Sequence, residues 1–380
     1  MKLKTLGSQI VKKVAERPST ISVSASVLAI IAGLFVGFIV MLIINPGQAF
    51  AGLRSILFGP FSDMEGGRSL GNTIYYAVPI ILTGLSVAFA FRTGLFNIGA
   101  TGQLTIGAFV AVYIGVNWAF LGPLHWIVAV LGGMLAGAFW GSIPGILKAY
   151  RNVHEVVSSI MLNYIAMYTV TMLIKQTIFN ATSARALAPE TTARLPQWFL
   201  GDVFPRSSIN IGIFIAMILV VITHIILNKT TFGYELKSVG FNRDASQYAG
   251  MSEKRNIILA MAISGGIAGV AGAVMFLVTG RFMSIENHLM AEGFTGIAIS
   301  LLGLSSPIGV FLAGLFYGAL EIGGFYLQRT TNFVPQIIEI IIAVIIYFSA
   351  LSLFLQKFVA NFLSKRLKKE VQISEGSDVL

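Results

Sequence analysis

Apolar residues run in blocks of about twenty along most of this 380-residue chain, and short polar breaks separate the blocks. A helix needs roughly 20 apolar residues to cross a bilayer. On that scale the blocks predict spanning helices at 22–44, 71–91, 94–116, 124–147, 155–179, 210–227, 256–279, 289–304, 308–327 and 333–355. The eighth block is short and glycine-rich, so a tilted, broken or re-entrant segment is expected there. The expected fold class is an all-α membrane protein with about ten transmembrane helices. Residues 1–21 and 356–380 flank a membrane domain at 22–355.

Composition supports lipid as the solvent. Hydrophobic residues make up 56% of the chain and charged residues 11%, against about a quarter charged in soluble domains. The 40 glycines suit tightly packed membrane helices. Cysteine is absent, which excludes disulfides, cysteine-ligated metals and thiol catalysis. The first apolar block follows lysines, and Ala49-Phe50-Ala51 resembles a signal cleavage site. The block is too long for a signal core, so an uncleaved anchor is expected.

The net charge of +10 would suggest a nucleic-acid partner in a soluble protein. Here position decides. With ten spans, 18 of the 26 Lys and Arg residues fall in segments on the side of the two termini, and seven fall on the other. Lys175 lies within span five. The positive-inside rule then places both termini in the cytoplasm of a multi-pass cell-membrane protein. The cations are accounted for by the membrane, and no nucleic-acid partner is expected.

Two polar loops are long. The loop 180–209 is expected outside, as a short surface helix meeting an external partner or as a plain connector. The loop 228–255 is expected inside and divides the spans five and five, as internal pseudo-repeats in transporters do. Gly133, Gly137, Gly141 and Gly145 recur every four residues. They share one helix face, where another backbone can approach closely.

Several chemistries lack a motif. There is no phosphate-binding G-x-x-x-x-G-K-[ST], no H-E-x-x-H, no local set of metal ligands, and no local catalytic triad signature. No metal site and no cofactor bound by this chain are expected. A non-catalytic transporter or channel is the reading that remains.

Three stretches carry more. In Phe91–Gln103, glycines and the amides of Asn97 and Gln103 interrupt apolar sequence. Glycine can break a helix there, so that freed backbone lines a cavity and the amides meet a polar solute. The alternative is a kink whose amides bond neighbouring helices. In 152–164, Asn152 is a candidate cap and Glu155 suits a helix N-terminus. Asn163 lies about 12 Å above Glu155, near mid-bilayer, with Ser159 on its face. Either a pathway role or helix–helix bonding would satisfy Asn163. In 240–252, Asn242 or Asp244 can cap a short helix through Tyr248, and Gly250 can end it. Glu321 and Glu339 fall inside spans nine and ten, and Glu292 near the outer part of span eight. Acids in hydrocarbon are costly and are candidates for a cavity lining or for ion pairs.

In this order and spacing, the three stretches resemble the permease subunits of ABC importers in the ribose and branched-chain amino-acid permease superfamily. The likeness runs from about Gly71 to Leu355 and is nearest to permeases of purine-nucleoside importers. Thr101 stands where many relatives carry an acidic residue. The resemblance implies a type II importer-like fold and a second permease, with a heterodimer favoured over a homodimer. It also implies ATP-binding subunits that use the ATP, an extracellular substrate-binding protein, and a nucleoside moved by alternating access within membrane lipid. It implies a coupling helix at Gly240, Asn242, Arg243, Asp244, Ala245, Tyr248, Ala249 and Gly250, and a pathway near Asn97, Gln103, Ser159, Asn163, Glu321 and Glu339. A simple-sugar importer permease and an ion-coupled secondary transporter are the alternatives.

Overall fold

A computed structural model describes residues 18–61, 67–285, 288–334 and 336–350. The expected tail 356–380, and most of the expected N-terminal segment 1–21, lie outside the described residues. The chain is a multi-pass α-helical protein, and among the described residues eight helices are long and apolar enough to cross a membrane.

The helices in chain order are α1 (Pro18–Ile44), α2 (Ala49–Phe58), α3 (Arg68–Arg92), α4 (Ala100–Asn117), α5 (His125–Arg151), α6 (Glu155–Thr177) and α7 (Gly212–Lys229). They continue with α8 (Thr231–Phe241), α9 (Arg243–Tyr248), α10 (Glu253–Phe276), α11 (Ala291–Leu302), α12 (Pro307–Thr330) and α13 (Gln336–Ala350). Eight of the ten expected spans correspond to the long helices, and α11 and α13 take the eighth and tenth places. The short apolar helix α2 was not expected, because ten residues fall below the length of a span.

The chain divides into two compact units. One holds α1 and α13, where Gly33 and Gly37 let Ile345 and Ile341 close onto the backbone of α1. The other runs from Arg54 to Thr330. Its centre is α10, which packs on α5, α4 and α3. Gly133, Gly137, Gly141 and Gly145 lie along the seam where α5 meets α10. A methyl group on Gly137 would meet the Gly265 carbonyl and come within 2.7 Å of the Gly269 Cα. With no hydrophobic drive between helices in lipid, such close backbone contact is what holds them.

Two crossings are interrupted. The fourth helix begins at Ala100, not near residue 94 as expected. Gly94, at φ +73°, closes α3 with a left-handed turn in which Leu95 N–H donates to the Ala90 carbonyl. The residues before Ala100 stay apolar enough to pass as membrane helix, which hides the break from a hydropathy reading. The eighth crossing is broken as well. Before it, at the end of α10, Leu277 O accepts from Leu195 N of the 180–209 connection. At its end the turn after α11 meets Arg92 at the end of α3. The helical part between, α11, has 12 residues and rises only about 18 Å. The described residues between Leu277 and Met290 are not helical.

Asn152 also departs from expectation. It ends α5 at φ 51°, and His154 occupies the cap position of α6, with Nδ1 accepting from Val156 N at 3.4 Å. Only a residue tolerant of left-handed backbone suits the two-helix turn, and Asn is such a residue. The 180–209 connection contains a two-residue hairpin and the single helical turn Leu200–Val203. It is stitched to the bundle by Glu190 N to Gly115 O and by His125, which bridges Thr192 Oγ1 and Ile114 O.

Candidate functional site

The break between α3 and α4 gathers the polar residues of the first two motifs. Asn97 and Gln103 pair amide to amide, at 2.8 and 3.1 Å, and Asn97 Nδ2 also donates to Ser264 Oγ at 2.7 Å. Asn163, on α6, accepts from Gly102 N at 2.9 Å and donates to Ile98 O at 3.1 Å. Its single side chain thus serves one N–H and one C=O that the break strips of helical partners. All three amides and Ser159 are buried in the chain's own packing. The Ser159 and Thr101 hydroxyls there have no hydrogen-bond partner. Gly102 and Gly99 permit the approach, since a Cβ on Gly102 would lie 2.8 Å from Asn163 Oδ1 and one on Gly99 3.2 Å from Ser159 Cβ. In this single chain the amides therefore hold the break in shape.

An expected outcome follows for Asn163→Leu. It leaves two buried backbone groups unpaired, at about 1–3 kcal/mol each. Thermal unfolding in detergent should shift down accordingly, and an unchanged midpoint would show that the break does not depend on Asn163.

Among the described residues an open space lies elsewhere, between α4, α6, the end of α10 and the residues leading into α11. It is a cavity of about 360 Å³, in the size range of small-molecule sites. Phe276, Phe282 and Met290 are among its apolar walls, and Thr105, Thr171 and His288 among its polar ones. Arg281 Nη2 donates to Glu292 Oε1 at 2.8 Å, so these two wall charges compensate one another. Arg185 stacks over Phe282 with its guanidinium carbon 3.7 Å from the ring centroid. The α11 N-terminus forms the floor at Met290, Ala291 and Glu292. A wall of aromatic faces, hydroxyls and an internally neutralised ion pair suits a neutral polar solute with an aromatic part.

Sequence reading missed this cavity except for Glu292. Its walls come from three segments far apart in the chain, around 105, 167–174 and 275–292. The available signal was the pair Arg281 and Glu292, opposite charges bordering one apolar block. Glu321 is half-buried in α12 beside Tyr317. Glu339 is exposed in the first turn of α13. Neither is among the cavity's lining residues.

At the other end of α7 lies the third motif. Asn242, of the two candidate caps, accepts from Ala245 N at 3.0 Å and starts α9. Gly250, at φ +81°, ends it. Arg243 pairs with Glu253 at 3.7 Å, and Ser246 is buried. Asp244, Ala245, Tyr248 and Ala249 face away from the chain. Phe241 and Tyr248 are 91% and 94% exposed, which is unusual for rings of that size outside an interface. Gly240 is exposed as well, and it packs on the end of α3.

A family model described as the permease component of branched-chain amino acid transport systems matches residues 69–350. The chain is 40% identical to the guanosine ABC transporter permease protein NupP of Bacillus subtilis, over 90% of this chain and 96% of that one. It is 36% identical to the nucleoside ABC transporter permease protein NupB of Lactococcus lactis, over 89% and 93%. It is 32% identical to the glucose ABC transporter permease protein TsgB13 of Haloferax volcanii, over 90% of each. A second guanosine ABC transporter permease protein of Bacillus subtilis, NupQ, and a second nucleoside ABC transporter permease protein of Lactococcus lactis, NupC, also match, at 29% and 27% identity over 65% and 66% of this chain. No solved structure matches.

Proposed function

Since this chain belongs to the family of branched-chain amino acid transport permease components, we propose that it is the membrane subunit of an ATP-driven importer whose solute is a nucleoside. The observation that carries the reading is near full-length similarity to two permeases named for guanosine and nucleosides. The cavity agrees with it. A nucleoside is neutral and offers a flat aromatic base and a hydroxylated sugar, which match the rings, hydroxyls and paired charges around the 360 Å³ space.

Paired permeases among the relatives support a second, non-identical permease beside this one. In this reading both termini and α9 lie in the cytoplasm, where an ATP-binding subunit seats α9 through Tyr248 and Phe241. The connection 180–209 then faces the outside and a substrate-binding protein. ATP binding closes the ATPase pair, α9 moves, and the pathway changes its open side. The two breaks in the helices give the bundle places to move without unfolding a whole span.

The glucose permease among the relatives favours a second reading, a simple-sugar importer. Co-purification of the assembled transporter, reconstitution and labelled uptake separate the two. ATP-dependent guanosine entry is expected, with little competition from glucose or ribose. Sugar entry without nucleoside entry would overturn the substrate, and uptake by the chain alone on an ion gradient would overturn the importer.

A further inference from the structure

Arg92 is the last residue of α3 and reaches sideways to the turn that joins α11 to α12. Its Nε donates to Ser305 O at 2.9 Å and its Nη2 to Leu304 O at 3.3 Å. Leu304 and Ser305 both hold positive φ, 56° and 50°. Two consecutive non-glycine residues in that region are unfavourable alone and persist where surroundings hold them. The planar fork of a guanidinium fits the two adjacent carbonyls as no ammonium can.

The same end of α3 carries α8. Leu236 and Val239 of α8 pack in one apolar cluster with Phe89, Ala90 and Leu95. Gly240 lies directly on Thr93 and Gly94, and a Cβ on Gly94 would come within 2.6 Å of the Gly240 Cα. Burial first, and the Arg92 charge second, hold the Lys237 ammonium below its usual range. Beyond Gly240 the chain turns at Asn242 into α9. On the other side of Arg92, α11 leads as one rigid 12-residue helix to the cavity floor.

We propose that Arg92 is a positioning residue that ties the α8–α9 hairpin to the α11 half-helix, so that movement of α9 reaches the floor of the cavity. The inference rests on the importer reading for what moves α9. It adds that the linkage runs through the Arg92 contact with the 304–305 turn. Without that contact, α8 and α3 still move together, and α11 no longer follows.

The test uses the assembled transporter and the absence of native cysteine in this chain. Ser284, exposed on the cavity wall, is changed to Cys, and its labelling by a membrane-impermeant thiol reagent is followed on this chain with and without a non-hydrolysable ATP analogue. The second chain adds Arg92→Lys, which keeps the positive charge at the helix end and loses the fork. All rates are taken per assembled complex. Nucleotide should change the labelling rate in S284C and leave it unchanged in the Arg92→Lys background. Uptake should fall about tenfold through its maximal rate, with the substrate KM and ATP hydrolysis retained. A nucleotide response in Arg92→Lys equal to that of S284C alone would overturn the linkage. No response in S284C itself would overturn the importer reading instead.

Discussion

Lys148→Met should destabilise the chain by about 3–5 kcal/mol, because it leaves the Glu155 carboxylate buried without its cation. Lys148 Nζ lies 2.9 Å from Glu155 Oε2 across the α5–α6 turn, and their side chains are only 12% and 11% exposed. Asn152, in its left-handed conformation, brings the ends of the two helices together. The double variant Lys148→Met with Glu155→Leu removes both charges and should recover most of the loss. Detergent unfolding of the two variants and their parent measures the difference. A single variant as stable as the parent would show that the pair contributes no net stability.

Tyr248→Ala and Phe241→Ala should act in the opposite way, on function and not on folding. Both rings are almost fully exposed, so truncation should move stability by about 0.5 kcal/mol at most. An aromatic anchor at an interface is worth about 2 kcal/mol. Each loss should therefore weaken the hold on the ATP-binding subunit about thirtyfold. Pull-down of the associated subunits at graded concentration reads the affinity, and ATP-dependent uptake reads the consequence. Normal association in both variants would remove α9 as the seat of the ATPase.

The long helices were legible because a single physical quantity decides them. Twenty apolar residues in a row have one stable solution in lipid, so α3, α5, α6, α7, α10 and α12 lie close to the expected bounds. The α9 cap was legible because Asn242 and Gly250 act on their own neighbours. Elements whose form depends on distant residues were not legible. Nothing local in Gly94–Gly99 tells that Asn163, over sixty residues later, will take up the freed backbone groups. The cavity is less local still. Arg281, Phe282 and Glu292 become a wall only once α4 and α6 stand opposite them. Asn97 and Gln103 were read as meeting a solute or bonding neighbouring helices, and composition alone could not foresee that they pair with each other.

The interrupted eighth crossing has a consequence for how the protein is made. The stretch before its helix contains Arg281 and His288, and Glu292 lies in the helix's first turn. Its twelve helical residues fall short of the roughly 20 apolar residues that a spanning helix needs. On length alone, this segment is expected to insert poorly as it leaves the ribosome. It is expected to be held in by helices already made, where Gly293 and Gly296 settle against Thr101 of α4 and Thr83 of α3. The order of synthesis is part of what builds the cavity.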